Sequence, residues 1–207
     1  MSKTLSLEEY KVACNAMTYE MVNAEDCMTI IFSIQEVRRD LYNCNTDPAQ
    51  RIALITKMNG SILVIERSCL LTWFLTIAKV VYGYSGGCSY DYIVGSYLKL
   101  TNDGVIASKP NFSTLNKTLK DYRKKKEVKD TLESLKNVRN SFLAHLDTDA
   151  LVNNFDKLFK QNNIDIDILK NFTKMLTDLL VCINIDPLVR NKANKDIMVY
   201  LYKCICS

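Results

Sequence analysis

Three polar residues stand close together near the end of an apolar helical pattern: Arg139, Asn140 and His145, within the stretch RNSFLAHLD. His145 is the only histidine in the chain. An imidazole titrates near neutral pH and can transfer protons, and a guanidinium offers a planar fork of donors that suits a phosphate group. Two interpretations follow: a site that cuts RNA, or a helix end that carries polar residues and has no chemical role.

A long helix must position these residues. The sequence predicts one helix from about Ser113 to Leu146, since no proline or glycine interrupts it. Its apolar residues recur at steps of three and four and form one stripe, which consists of Leu132, Leu135, Val138, Phe142 and Leu146.

The helical spacing fixes where the polar residues lie around that stripe. Arg139 is about 40° from Leu135, so we expect its side chain to face the core or an interface, where it is costly unless an anion meets it. His145 lies about 80° to the other side, and Asn140 lies on the outer face. Because Arg139 and His145 are about 120° apart, a two-fold axis through the stripe would bring the arginine of one copy near the histidine of another. The spacing therefore favours a homodimer.

Positive charge is concentrated just before the motif. From Lys109 to Arg139 there are ten Lys and Arg against four Asp and Glu, a surplus of six, which exceeds the +4 of the whole chain. Such a stretch suits a phosphate backbone, although a solvated helix face is the alternative. The candidate RNA contacts are Lys120, Arg123, Lys124, Lys125 and Lys126.

The motif resembles that of HEPN domains. RNSFLAH fits their R-x(4–6)-H pattern with a polar residue after the arginine, and LAHLD is similar to the ending of the abortive-infection, AbiU-like branch. ERSCLLTWFLTIAKVVYG resembles the central helix of that branch, and DKLFKQNNIDIDILKNFTKMLTDLL resembles its C-terminal helices. The resemblance covers most of the chain from about residue 50, but its specificity lies in the seven-residue motif.

The resemblance implies a metal-independent endoribonuclease of the toxin or phage-defence type, without a cofactor, in which two motifs of a homodimer form one site. A ribose 2′-OH would attack the adjacent phosphate and leave a 2′,3′-cyclic phosphate. His145 would act as general acid or base, Arg139 would stabilise the transition state, and Asn140 would orient the histidine or the phosphate. A cognate antitoxin or regulatory protein is a further expected partner. The alternative is a non-catalytic helical module that binds RNA or protein.

The whole chain, residues 1–207, is expected to form one all-α domain, a bundle of four or five main helices with extra short ones. A capping box at Ser6–Glu9 starts a helix that continues toward Asn45, with a suggested break near residues 23–26. Further helices are predicted over about 49–82, with a suggested interruption at Gly60, and over 92–100. One further helix is expected to start near Asp147–Asp149, another is formed by the segment IDILKNFTKMLTDLLVCI, and a last one lies after Pro187.

Other classes of protein find little support in the sequence. The N-terminus does not resemble a secretory signal and no segment is apolar enough to span a membrane, so we expect a cytoplasmic protein. The eight cysteines form no C-x-x-C pair and are interpreted as reduced thiols that pack as small hydrophobes, which makes a zinc site improbable. The G-x-S-x-G match at residues 83–87 follows a helix instead of a strand, so Ser85 is interpreted as a turn residue.

Overall fold

The structure is a computed structural model, and it describes residues 5–43, 47–49, 53, 56, 61–83, 89–144 and 164–186. Within these ranges there is no strand, which confirms the all-α class. The helices found there are α1 (Leu7–Asn43), α2 (Ser61–Tyr82), α3 (Tyr90–Asn102), α4 (Phe112–Lys124), α5 (Lys126–Ala144) and α6 (Ile166–Ile183). Their buried side chains form one hydrophobic cluster to which all six helices contribute.

Helix α1 begins at the predicted capping box. The Ser6 amide donates to Glu9 Oε2 at 2.8 Å, and the Glu9 amide donates to Ser6 Oγ at 3.3 Å. The suggested break near residues 23–26 is wrong, because α1 is continuous. Buried residues continue through this region at helical steps of three and four. Their packing therefore outweighs the weak helix propensity of the polar residues there. That stripe consists of Tyr10, Cys14, Met17, Met21, Ala24, Met28 and Ile31.

Helix α2 packs against α1, α3 and α5 and supplies the largest core side chain. Trp73 is fully buried, and its indole N–H donates to Thr173 Oγ1 on α6 at 2.8 Å. Phe74 and Phe32 contact the indole at ring-centroid distances of 5.1 and 6.3 Å. The helix starts directly after Gly60, where an interruption was suggested, and most of the preceding segment from residue 49 lies outside the described residues.

The single long helix predicted from Ser113 to Leu146 is wrong. The structure has two helices, α4 and α5, separated at Lys125, whose backbone is extended (φ −61°, ψ 139°). The reason lies in the angular positions that the apolar residues would take around the axis of one continuous helix. Val128 follows Leu119 by nine residues and would lie about 180° away on one continuous helix. The break at Lys125 lets both side chains reach the core, where they are 0% and 1% exposed.

Helix α6 coincides with the predicted segment and closes the core against α1. Asp165 caps its start, since Asp165 Oδ1 accepts from the Ile168 amide at 3.0 Å. At its other end, the hydroxyl of the fully buried Tyr10 donates to the Ile183 carbonyl at 2.8 Å. The helices predicted just after residue 147 and after Pro187 lie outside the described residues.

The Tyr10 hydrogen bond provides a test of this packing. Tyr10→Phe leaves the Ile183 carbonyl, one of the last of its helix, without that donor in a buried place. We expect the free energy of unfolding to fall by about 1–2 kcal/mol, measured by urea denaturation. Tyr19→Phe on the same helix is the matched control: Tyr19 is 60% exposed, so this change should have almost no effect. Equal effects of the two changes would contradict the assignment.

Candidate functional site

Arg139 lies on α5 and contacts the end of α2. Its Nη1 donates to the Gly83 carbonyl at 3.1 Å, while its Nε and Nη2 donate to Asn140 Oδ1 at 3.3 and 3.1 Å. Gly83 has a φ of 69°, and its amide donates to the Lys79 carbonyl at 2.8 Å. A glycine is favoured at this left-handed position after a helix, and here it supplies the acceptor for Arg139.

In the part of the chain that the structure describes, the guanidinium of Arg139 is held by neutral oxygens only. Within the described ranges no carboxylate lies within 4.0 Å of it. A guanidinium has five N–H donors, and the contacts to Gly83 and Asn140 use three of them. The side chain is partly buried, as the helical spacing predicts, and Asn140 is exposed on the outer face, also as predicted. Two of its five donors therefore have no partner among the described residues.

Tyr82, which the sequence did not single out, lies beside this arginine at the C-terminal end of α2. Lys136 Nζ stands 5.3 Å from the centroid of its ring. Desolvation, followed by the negative charge of Glu133, raises the pKa of the Tyr82 hydroxyl, and the positive charges of Arg123 and Arg139 oppose that rise. The tyrosine thus connects the end of α2 electrostatically to both α4 and α5.

A groove of about 590 Å³ opens where α2, α4 and α5 meet. Tyr82 and Leu132 give it apolar surface, and it contains four basic and two acidic side chains. The residues that line it are Tyr82, Lys120, Arg123, Lys124, Lys129, Asp130, Leu132 and Glu133. Tyr82 lines the groove and also feels the charge of Arg139, so the groove and the motif arginine lie at the same end of α2.

Three of the five predicted RNA contacts line this groove, but they are not equivalent. Arg123 is engaged in the fold: its Nη1 donates to Asp91 Oδ2 at 2.8 Å and to the hydroxyl of Tyr90, whose ring it also covers. Lys124 pairs with Asp121 one turn earlier at 2.9 Å. Lys120 is exposed, and among the described residues no carboxylate lies within 4.0 Å of it. Lys120 is therefore the freest of the three to contact a ligand.

The other two predicted contacts lie at the break between the helices. Lys125 follows the last residue of α4 as its C-cap, and its Nζ stands 5.2 Å from the centroid of the Tyr122 ring. Lys126 begins α5 and is exposed. Neither residue lines the groove. Lys129, which does line it, was missed because the predicted contacts ended with the basic run and the sequence does not show which residues a helix break brings to one side.

His145 lies outside the described residues, as does the side chain of Phe142 in the predicted apolar stripe. The relation between Arg139 and His145 thus stays a prediction from helical spacing. Within the described ranges, no group of three or more His, Cys, Asp or Glu side chains is arranged to hold a metal ion. None of the helices found there is long and apolar enough to cross a membrane.

Comparisons with protein-family models, curated proteins and solved structures give no match to this chain. The HEPN resemblance therefore rests on the residues of the chain itself.

The charges around Tyr82 predict that two substitutions shift the pKa of its hydroxyl in opposite directions. Glu133→Gln removes a negative charge that raises the pKa of Tyr82, so this pKa should fall. Arg139→Gln removes a positive charge that lowers it, so the pKa should rise. Both are measured by NMR titration of ¹³C-labelled tyrosine, with the Tyr82 signal assigned through Tyr82→Phe. A shift in the same direction for both variants would contradict the arrangement.

Proposed function

We propose that the protein is a metal-independent endoribonuclease of the HEPN type, active as a homodimer through Arg139, Asn140 and His145. The observation that carries the proposal is the state of Arg139. Its partly buried guanidinium is fixed by neutral acceptors, has no carboxylate within 4.0 Å in the described ranges and retains two donors. A structural arginine would be expected to pair with a carboxylate, as Arg123 does with Asp91. A toxin or phage-defence role belongs to the same proposal.

The proposed reaction is an internal transfer at one phosphate of the RNA. The ribose 2′-OH loses its proton to one His145 and attacks phosphorus, and the P–O5′ bond breaks as the His145 of the second copy protonates the leaving oxygen. The products are a 2′,3′-cyclic phosphate and a free 5′-OH. Arg139 counters the charge that develops on the phosphoryl oxygens, and Asn140 helps to orient its guanidinium. Each chain has one histidine, so two proton-transfer groups require two copies.

In this proposal the groove beside Tyr82 guides the RNA to the site. Lys120 and Lys129 are exposed, and within the described ranges neither has a carboxylate within 4.0 Å. The ring of Tyr82 gives the groove an aromatic wall, a feature that suits unpaired bases. Asp130 and Glu133 also line the groove and reduce its net positive charge. A single RNA strand carries less dense negative charge than a duplex, so the groove favours single-stranded RNA.

The alternative is a non-catalytic module that binds RNA or a partner protein. It draws support from the same groove, whose basic side chains and tyrosine do not depend on His145. The two functions differ in what happens when the histidine is removed.

The first test is cleavage of RNA in EDTA by wild-type protein and His145→Ala. We expect wild-type cleavage to leave 2′,3′-cyclic phosphate and 5′-OH ends, and the variant to lose about 10²–10⁴-fold in rate while it still folds and dimerises. Arg139→Lys should also lose most activity, since it keeps the charge but not the planar fork.

Three other outcomes decide against the enzyme. Cleavage that survives His145→Ala would point to a contaminant or another site. RNA binding by both proteins without cleavage of a broad RNA pool would support the binding module. Absence of both binding and cleavage would reject both functions for RNA.

The second test addresses the groove. Lys120→Gln combined with Lys129→Gln should weaken binding of single-stranded RNA to the His145→Ala protein. If each lysine contacts one phosphate, the slope of log K against log salt should become shallower by about 0.7 per lysine. Lys11→Gln on α1 is the matched control, because Lys11 pairs with Glu8 and does not line the groove. An unchanged slope in the double variant would remove the groove from the proposal.

A further inference from the structure

A second groove opens between α3 and α4. The two helices touch near both ends of α4. At its start the ring centroid of Phe112 stands 4.6 Å from that of Tyr97, and at its end Arg123 pairs with Asp91 at 2.8 Å. An open groove of about 430 Å³ runs along α4 between these contacts, and Leu98 of α3 also lines it. Because contacts fix the helices at both ends, the groove is a feature of the packing and not of one side chain.

Three exposed lysines line the second groove on one face of α4. Lys117, Lys120 and Lys124 recur at steps of three and four, so they form a row of about 10 Å along the helix. One acidic residue, Asp121, is among the described residues of this lining, and it pairs with Lys124 at 2.9 Å. Among the described residues, neither Lys117 nor Lys120 has a carboxylate within 4.0 Å. The groove therefore carries a net positive charge.

The second groove is continuous with the groove beside Tyr82. Lys120 and Lys124 line both grooves. Lys129 of α5 lines the groove beside Tyr82 but not the second one, and Lys117 lines the second but not the first. The two grooves therefore form one basic path across α4, with Lys129 toward one end and Lys117 toward the other.

The side of α3 that faces this path has an apolar side chain and an open position. Leu98 is 38% exposed although it is a large apolar residue. Gly95 lies three residues before Leu98 and four after Asp91, so it is on the same side of α3 between them. A Cβ at Gly95 would meet no described atom within 4 Å. The packing of the described residues thus does not require a glycine here, although glycine weakens the interior of a helix.

We propose that one single strand of RNA occupies both grooves at once and passes from Lys129 across the two shared lysines to Lys117. Its bases in the second groove lie against Leu98 and beside Gly95. This inference rests on RNA binding, which the proposed nuclease and the alternative binding module share, and it does not require cleavage.

The chemistry of the path favours a nucleic-acid strand over other anions. A strand carries one negative charge per nucleotide, so it matches a row of separate lysines along the whole length of both grooves. Ser113 and Asn116 also line the second groove and offer hydrogen-bonding groups to base edges and to the ribose 2′-OH. The exposed side chain of Leu98 suits the apolar face of an unpaired base.

The experiment measures how salt affects the binding of a fluorescent RNA strand of about twelve nucleotides, a length within the usual range of single-strand sites. The full-length His145→Ala protein is used, so that the strand stays intact. We expect Lys117→Gln and Lys129→Gln each to make the slope of log K against log salt shallower by about 0.7, and their combination by about 1.4. Two strands bound separately would give two binding events, each sensitive to one of the two changes.

Gly95 provides a second variant that does not remove a lysine. Gly95→Glu places a carboxylate beside the path without a clash, and glutamate favours a helix more than glycine does. We expect weaker binding and a shallower salt slope. Gly95→Ala is the matched control, because it adds a methyl group without a charge and should leave the slope unchanged. Urea denaturation of both variants checks that they fold.

Three results would overturn the inference. One is an unchanged slope in Lys117→Gln and Gly95→Glu while Lys129→Gln makes it shallower; RNA then stays in the groove beside Tyr82. Another is displacement of the strand by an equal concentration of an oligoglutamate peptide of similar length, which would indicate a site for acidic peptides. The third is the absence of RNA binding by every protein, which would also reject an RNA function.

The cleavage assay on wild-type protein keeps this inference separate from the proposed nuclease. The expected slopes without any cleavage by the wild-type protein would reject the nuclease and support the path. Cleavage that depends on His145, together with slopes that ignore Lys117 and Gly95, would support the nuclease and reject the path.

Discussion

The burial of α2 is the constraint on which the rest of the structure depends. Its segment is strongly apolar, and seven of its residues are at most 7% exposed: Ile62, Trp73, Phe74, Ile77, Ala78, Val80 and Val81. Helices α1, α3 and α5 pack against it, and α6 reaches it through the hydrogen bond from Trp73 to Thr173. That bond satisfies an indole N–H that would otherwise be buried without a partner. The arginine site lies at the C-terminal end of this helix.

Much of the fold could be predicted from the sequence because its signals are local. The capping box, the apolar segment of α6 and the stripe of α1 each follow from residues within a few turns of one another. The break at Lys125 was missed for a related reason. Without proline or glycine there is no local stop signal, but the apolar residues change phase between Leu119 and Val128. The placement of Arg123 and Lys124 in the last turn of α4, and of Glu127 in the first turn of α5, also agrees with a helix end there.

The candidate site could be predicted only in part, because its contacts are long-range. Helical spacing correctly places Arg139 at the edge of the buried stripe and Asn140 outside it. The Gly83 carbonyl, which accepts a hydrogen bond from Arg139, is 56 positions away in the sequence. No periodicity within α5 indicates that α2 ends beside this arginine. The same holds for Tyr82, which looks from the sequence like one more apolar residue at the end of a buried helix.

The surroundings of Arg139 bear on stability as well as on chemistry. A partly buried cation with neutral acceptors recovers less of its hydration energy than one paired with a carboxylate. Within the described residues, Arg123 has Asp91 as its partner, whereas Arg139 has no carboxylate within 4.0 Å. An anion that binds the free donors of Arg139 would recover part of the cost only in the folded state, so its binding energy would also stabilise the fold. Functional sites commonly depart from optimal stability in this way, and the contrast between the two arginines within the described residues supports the proposal that Arg139 binds an anion.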